Sequence, residues 1–185
     1  MPLRCSWCLA PVIWRQRHSG GIGVLGRRRE SRLGLVTRQL THQFRVNIVP
    51  MTTTHIQCSC AVVQVEVTGA AILQYVCHCD DCQSVHGKAY SCSLYPAQNV
   101  VVLRGETAAL TLRTSPRTRC KQCGTFLFAE VPDRPVRGVN GELLPQGMFE
   151  PQFHIQCRYA VAPIPDHLPH YRDLPARFGG SDELI

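Results

Sequence analysis

Cys77, Cys79 and Cys82 lie within the single stretch "YVCHCDDCQSVHGK" (75–88). Three thiols so close are too many for one disulfide and one short of a closed tetrahedral zinc site. Four more of the eleven cysteines form two short pairs, Cys58-x-Cys60 and Cys120-x-x-Cys123. Such spacings let several sulfurs converge on one soft ion. An oxidised disulfide framework fits poorly, because seven clustered cysteines are an odd number and no clear secretory signal precedes them.

"CKQCGT" (120–125) reads as a zinc knuckle, a tight turn in which Gly124 lets backbone N–H groups face the sulfurs. A knuckle supplies two ligands and needs a second pair. Cys58 and Cys60, at the start of the first expected strand, are the obvious candidates. Cys58, Cys60, Cys120 and Cys123 are therefore expected to close one structural zinc site, which can contribute on the order of 10 kcal/mol to folding. Cys77, Cys79 and Cys82 then make a second site with three ligands and an open position, the arrangement of catalytic zinc. The expected complement is two Zn2+ per chain. The alternative is that Cys92, Cys157, His78 or His86 closes the second site too. Cys92 and Cys157 lie in apolar strand-like runs, where a free cysteine packs as a small hydrophobe. His78, between two ligands, is expected to point away.

These cysteines need a scaffold, and the chain offers a mostly β one. "AVVQVEV" (61–67) alternates Val63, Val65 and Val67 with Gln64 and Glu66, a half-buried strand ending at Thr68-Gly69. "AILQYV" (71–76) reads as its hairpin partner. "DDCQSVHG" reads as one or two helical turns, with acids at its positive end and Gly87 as cap. Strands follow at 89–95, 99–103, 108–113, 125–130 and 153–161. Many short strands with turns between them predict a mostly antiparallel all-β domain. "APIPDHLPHYRDLP" is an irregular C-terminal arm.

The net charge of +7 is unevenly spread. Residues 1–50 hold nine Arg and one acid, +9 − 1 = +8; residues 51–185 hold eleven Lys/Arg and twelve acids, +11 − 12 = −1. The basic pI is thus no argument that the domain binds nucleic acid. The Arg- and Gly-rich 1–50 segment lacks an apolar period and reads as a disordered extension, or as sequence upstream of a true start at Met51. Its longest apolar run (5–14) is too short to span a bilayer.

"CSC…VTG…CHCDDCQSVHG…RCKQCGTFLF", followed by "FHIQCRYAVAPIPDHLPHY", resembles the glutathione-dependent formaldehyde-activating enzyme family, which includes centromere-protein-V-like members. The resemblance covers about residues 55–175. It implies a zinc-stabilised antiparallel β-tent with short helical turns, two zinc sites, and a cytoplasmic carbon–sulfur lyase that interconverts glutathione plus formaldehyde with S-hydroxymethylglutathione. It places the closed site on Cys58, Cys60, Cys120 and Cys123 and the open one on Cys77, Cys79 and Cys82. The family usually has Gly after the first C-x-C, where this chain has Ala61. The partner implied is a small-molecule thiol adduct, with no membrane or nucleic acid involved.

Asp80, Asp81, His86 and a bound water are candidate proton carriers, unranked. Gln83 is either a group that orients a ligand through its amide or a solvated side chain. Lys88, Arg113, Arg117 and Arg119 are candidate cations for the carboxylates of glutathione. The rival reading is a non-catalytic zinc-stabilised binding module.

Overall fold

The computed structural model describes residues 52–113 and 115–185, so the reading of residues 1–50 lies outside the described residues. Among the described residues ten strands form two sheets. The smaller has the order β1 (Thr53–Gln57), β2 (Gln64–Thr68), β5 (Val100–Arg104). The larger runs β10 (His154–Ile155), β3 (Leu73–Cys77), β4 (Tyr90–Pro96), β9 (Val136–Asn140), β8 (Phe126–Glu130), β7 (Pro116–Cys120), β6 (Thr107–Thr111). One helix, α1 (Asp80–His86), stands beside β4. The domain is mostly β, and its pairings are antiparallel apart from β10 beside β3. Among the described residues no helix is long and apolar enough to cross a membrane.

The period-two pattern of β2 buries Val65 and Val67 and leaves Gln64 and Glu66 half-exposed. Those valines join Ile56, Tyr95, Val100, Leu127 and Val139 in one core that also contains Cys58 and Cys120. Full burial of each such aliphatic side chain contributes about 1.5–3 kcal/mol. A second core gathers Cys77, Cys79 and Cys82 with Tyr75, Tyr90, Phe153 and Leu174. Each cysteine cluster is thus built into its own packed nucleus.

Several expected elements fall elsewhere. Cys58 and Cys60 sit in the β1–β2 turn, not at a strand start, because a strand (β1) precedes them; only Ile56 of its five residues is buried, so its pattern is faint. β3 does not pair with β2; it lies between β4 and β10 in the other sheet. β7 and β9 escaped notice because "PRTRC" and "VRGVN" carry Pro, Arg and Gly. Gly138 is required by close packing, since a Cβ there would meet Cys92 Sγ at 2.8 Å. The expected strand at 153–161 stops after Ile155, where Gln156 turns left-handed at φ 57° and a 3-10 turn takes Cys157–Tyr159. Cys157 is therefore not mid-strand.

Candidate metal centre

The first cluster is made by two turns of like construction. Cys58 N–H donates to Val63 O at 3.1 Å and Ala61 N–H to Cys58 O at 2.8 Å. In the second turn Cys120 N–H donates to Thr125 O at 2.9 Å and Gly124 N–H to Cys120 O at 3.0 Å. Each turn closes on a left-handed residue, Ala61 at φ 58° and Gly124 at φ 75°. The tight backbone turns both pairs of thiols toward one point. The four Sγ atoms lie within 4.8 Å of one another. Cys58 and Cys60 Sγ are 3.4 Å apart, and Cys60 and Cys120 Sγ 3.8 Å. A zinc–sulfur bond of about 2.3 Å places tetrahedral sulfurs about 3.8 Å apart, so this all-thiol donor set fits zinc. Val63 N–H adds a 3.2 Å bond to Cys58 Sγ. Cys123 Sγ lies 3.1 Å from Thr125 Oγ1.

The second cluster is set by β3 and α1. Cys77 ends β3, Cys79 is the N-cap of α1, and Cys82 lies in its first turn. Cys79 Sγ accepts from Cys82 N–H at 3.4 Å, so the helix start itself fixes both sulfurs. Gly87 ends the helix in the left-handed conformation, as expected. All three thiols are buried and lie within 4.8 Å of one another, and among the described residues no fourth Cys, His, Asp or Glu joins them. Hydrogen bonds with Cys77 and Cys79, then the nearby Arg117 guanidinium, hold the Cys82 thiol well below its ordinary range against the effect of burial. Sharing protons with Cys79 and Cys82 pushes Cys77 upward. Three buried sulfurs converging on one point form a soft donor set suited to zinc.

None of the four considered fourth ligands enters this group. His78 turns away, its Nε2 lying 2.9 Å from His154 Nδ1. His86 stacks on Tyr90 at 4.7 Å and lines a separate hollow with Lys88 and Glu142; burial lowers it to about 4. Cys92 and Cys157 are buried thiols that burial pushes up to about 12 and about 11.

A cavity opens beside the three thiols, walled by Tyr75, Tyr90, Cys92, Val131 and Pro132, with Arg117 and Glu130 as its charged groups. Of the four cations considered, Arg117 lines it; that side chain is 5% exposed and donates to Ser115 O at 3.0 Å. Lys88 pairs with Glu142 at 2.7 Å, and Arg119 is exposed. Arg113 clamps Asp80 at 2.9 Å and Asp81 at 2.7 Å, which accounts for both acids as helix-start anchors. Gln83 is half-buried and is not aimed at the thiols. Its amide donates to His78 O at 2.6 Å and Tyr159 O at 2.8 Å, binding the cysteine loop to the segment after β10. The strand at 125–130 that carries Glu130 was expected, but the place of Glu130 beside the thiols was not, since no spacing links residues 129–132 to them.

No curated protein matches this sequence. A crystal structure of a Rhodobacter sphaeroides protein shares 20% identity, with 50% of this chain and 89% of that one covered, at a TM-score of 0.43. The sequence profile described as "glutathione-dependent formaldehyde-activating enzyme" matches residues 53–159, more than half of the chain and the span that carries both cysteine clusters. The chain therefore belongs to the glutathione-dependent formaldehyde-activating enzyme family.

Proposed function

We propose that this protein is a zinc-dependent carbon–sulfur lyase that interconverts S-hydroxymethylglutathione with glutathione and formaldehyde, or acts on a closely related thiol adduct. One observation carries the reading: Cys77, Cys79 and Cys82 converge with no fourth ligand among the described residues, beside a cavity holding a buried arginine. A zinc ion held by these three sulfurs supplies the Lewis acidity that keeps a substrate thiol as thiolate.

The chain's own residues do the remainder. Arg117 offers a cation to a substrate carboxylate or to the thiolates themselves. Tyr75, Tyr90, Val131 and Pro132 form apolar walls that hold formaldehyde against the sulfur and keep bulk water out. In synthesis the sulfur bonds to the formaldehyde carbon while the carbonyl oxygen takes a proton. In cleavage the hydroxyl gives up that proton as the carbon–sulfur bond breaks. Glu130 is the carboxylate lining the cavity, its Oε1 also accepting from Arg137 Nε at 2.9 Å, and we assign it this proton because it alone of the acids faces the cavity. Asp80 and Asp81 pair with Arg113, and His86 lines a separate hollow.

Cys58, Cys60, Cys120 and Cys123 hold a second, structural zinc in this reading, giving two per chain within a domain of residues 51–185. The nine described cysteines are free thiols, which suits the reducing cytoplasm. The test is exchange NMR of glutathione and formaldehyde with their adduct, with and without the protein. Acceleration that disappears in Cys79→Ser supports the lyase. No acceleration with both metals bound overturns the glutathione–formaldehyde reaction and points to another thiol substrate or to a zinc-stabilised binding module.

A further inference from the structure

A third convergence of ligating side chains lies outside both cysteine clusters. His154 Nε2 is 2.8 Å from Asp166 Oδ2, and His170 Nε2 is 3.1 Å from Asp166 Oδ1. We propose that His154, Asp166 and His170 form a metal site for a divalent transition-metal ion, zinc or cobalt among them, bound through two imidazole nitrogens and one carboxylate.

The backbone holds these donors in place before any ion arrives. His154 N–H donates to Pro169 O at 2.8 Å, and Tyr171 N–H donates to His154 O at 3.0 Å, so the arm returns alongside β10 and sets the two histidines side by side. Their rings meet edge to face with centroids 5.0 Å apart, each turning its Nε2 toward the same carboxylate. The three donor atoms lie within 4.8 Å of one another. Two imidazoles and a carboxylate suit borderline divalent ions.

The surroundings of the trio have the form expected around a metal. A histidine that ligates through Nε2 carries its proton on Nδ1 and needs an acceptor there. For His154 that acceptor is His78 Nε2, at 2.9 Å. Asp166 is steadied by the Leu168 N–H, which donates to Oδ1 at 3.0 Å. His154 is buried, His170 half-buried and Asp166 exposed, so an ion enters from the solvent side and completes its coordination with water. The site lies one hydrogen bond from His78, the residue between Cys77 and Cys79. It also pins the irregular arm to the sheet, giving it a structural task distinct from the open thiol site.

The test adds Co2+ to the full-length, zinc-loaded protein. One further equivalent is expected to bind saturably and to show visible ligand-field bands without sulfur-to-cobalt charge transfer. That equivalent should be lost in His170→Ala and in Asp166→Asn, while the zinc held by the cysteines is retained in both. The near-isosteric Asp166→Asn keeps the test decisive if removal of the His170 ring loosens the arm. Absence of saturable binding, cobalt seen only with thiolate bands, or unchanged binding in Asp166→Asn would overturn the proposal.

Discussion

The Thr125 hydroxyl donates to that of Ser59 across 2.9 Å, and the Ser59 N–H returns a 3.1 Å bond to Thr125 Oγ1. These bonds fasten the turn carrying Cys58 and Cys60 to the turn carrying Cys120 and Cys123. Thr125→Val removes both and leaves a contact of Cys123 Sγ unmet. Because these bonds are exposed, it should destabilise the zinc-loaded protein by about 1 kcal/mol or less, read from urea unfolding. It should also hasten zinc loss to a chelator.

The two clusters should respond differently to loss of one thiol. Cys79→Ser keeps a good helix N-cap, because serine oxygen can accept the Cys82 N–H in place of sulfur. The variant should fold and retain the four-thiolate site but lose lyase activity. On the proposed reading Cys123→Ser breaks a structural zinc site, where a metal would contribute on the order of 10 kcal/mol, and should leave the chain unfolded at ordinary temperature. Circular dichroism together with zinc counts decides this; equal unfolding of both variants would refute the division of labour.

Ala61 occupies the left-handed region at φ 58°, where Gly124 stands in the companion turn. An L-residue there costs roughly 1–2 kcal/mol, of which the looser unfolded chain of a glycine variant gives back about 0.4–1 kcal/mol. Ala61→Gly should therefore raise stability by up to about 1 kcal/mol with activity unchanged. A lower denaturation midpoint would contradict this account.

Gln83 grips His78 O and Tyr159 O with one amide nitrogen. Gln83→Ala frees the loop between Cys77 and Cys79, and Gln83→Glu sets a carboxylate against two carbonyl oxygens. Either should weaken metal retention at the three-thiol cluster by about 10–100-fold while leaving the four-thiolate site alone. Chelator competition followed for each site separately measures the difference.

Alkaline pH should expose the cost of burying Cys92. Burial pushes this thiol up to about 12 from an ordinary 9.0. Below 9 both folded and unfolded chains keep the proton, so its contribution is fully present. Between 9 and about 12 the unfolded chain ionises and the folded one does not, so stability falls as pH rises. Wild type should lose up to about 1.4 kcal/mol more per pH unit than Cys92→Ala across this window. Urea midpoints at pH 8 and at rising alkaline pH test the narrowing gap.

Both cysteine groupings were legible before any coordinates, because C-x-C and C-x-x-C spacings can only be satisfied locally, within single turns. The mostly β class and the seven-residue helix were legible for the same reason: alternation in 61–67 and the Asp80–Gly87 punctuation are short-range signals. The strands β1, β7 and β9 were not, since one buried residue in five, or a Pro and several Arg, leaves no period to detect; their pairing depends on neighbours distant in sequence. The meeting of the Cys58 turn with the Cys120 turn was inferred from ligand number, yet the hydroxyl pair that joins them could not be. Sequence alone thus determined which thiols act together and what ion suits them. Only the tertiary structure decided that Arg117 and Glu130 share a cavity with three thiols, that Arg113 takes the two acids at the helix start, and that His154, Asp166 and His170 converge. Those choices rest on which strand lies beside which and on how the arm returns, and such long-range packing leaves no mark in local spacing.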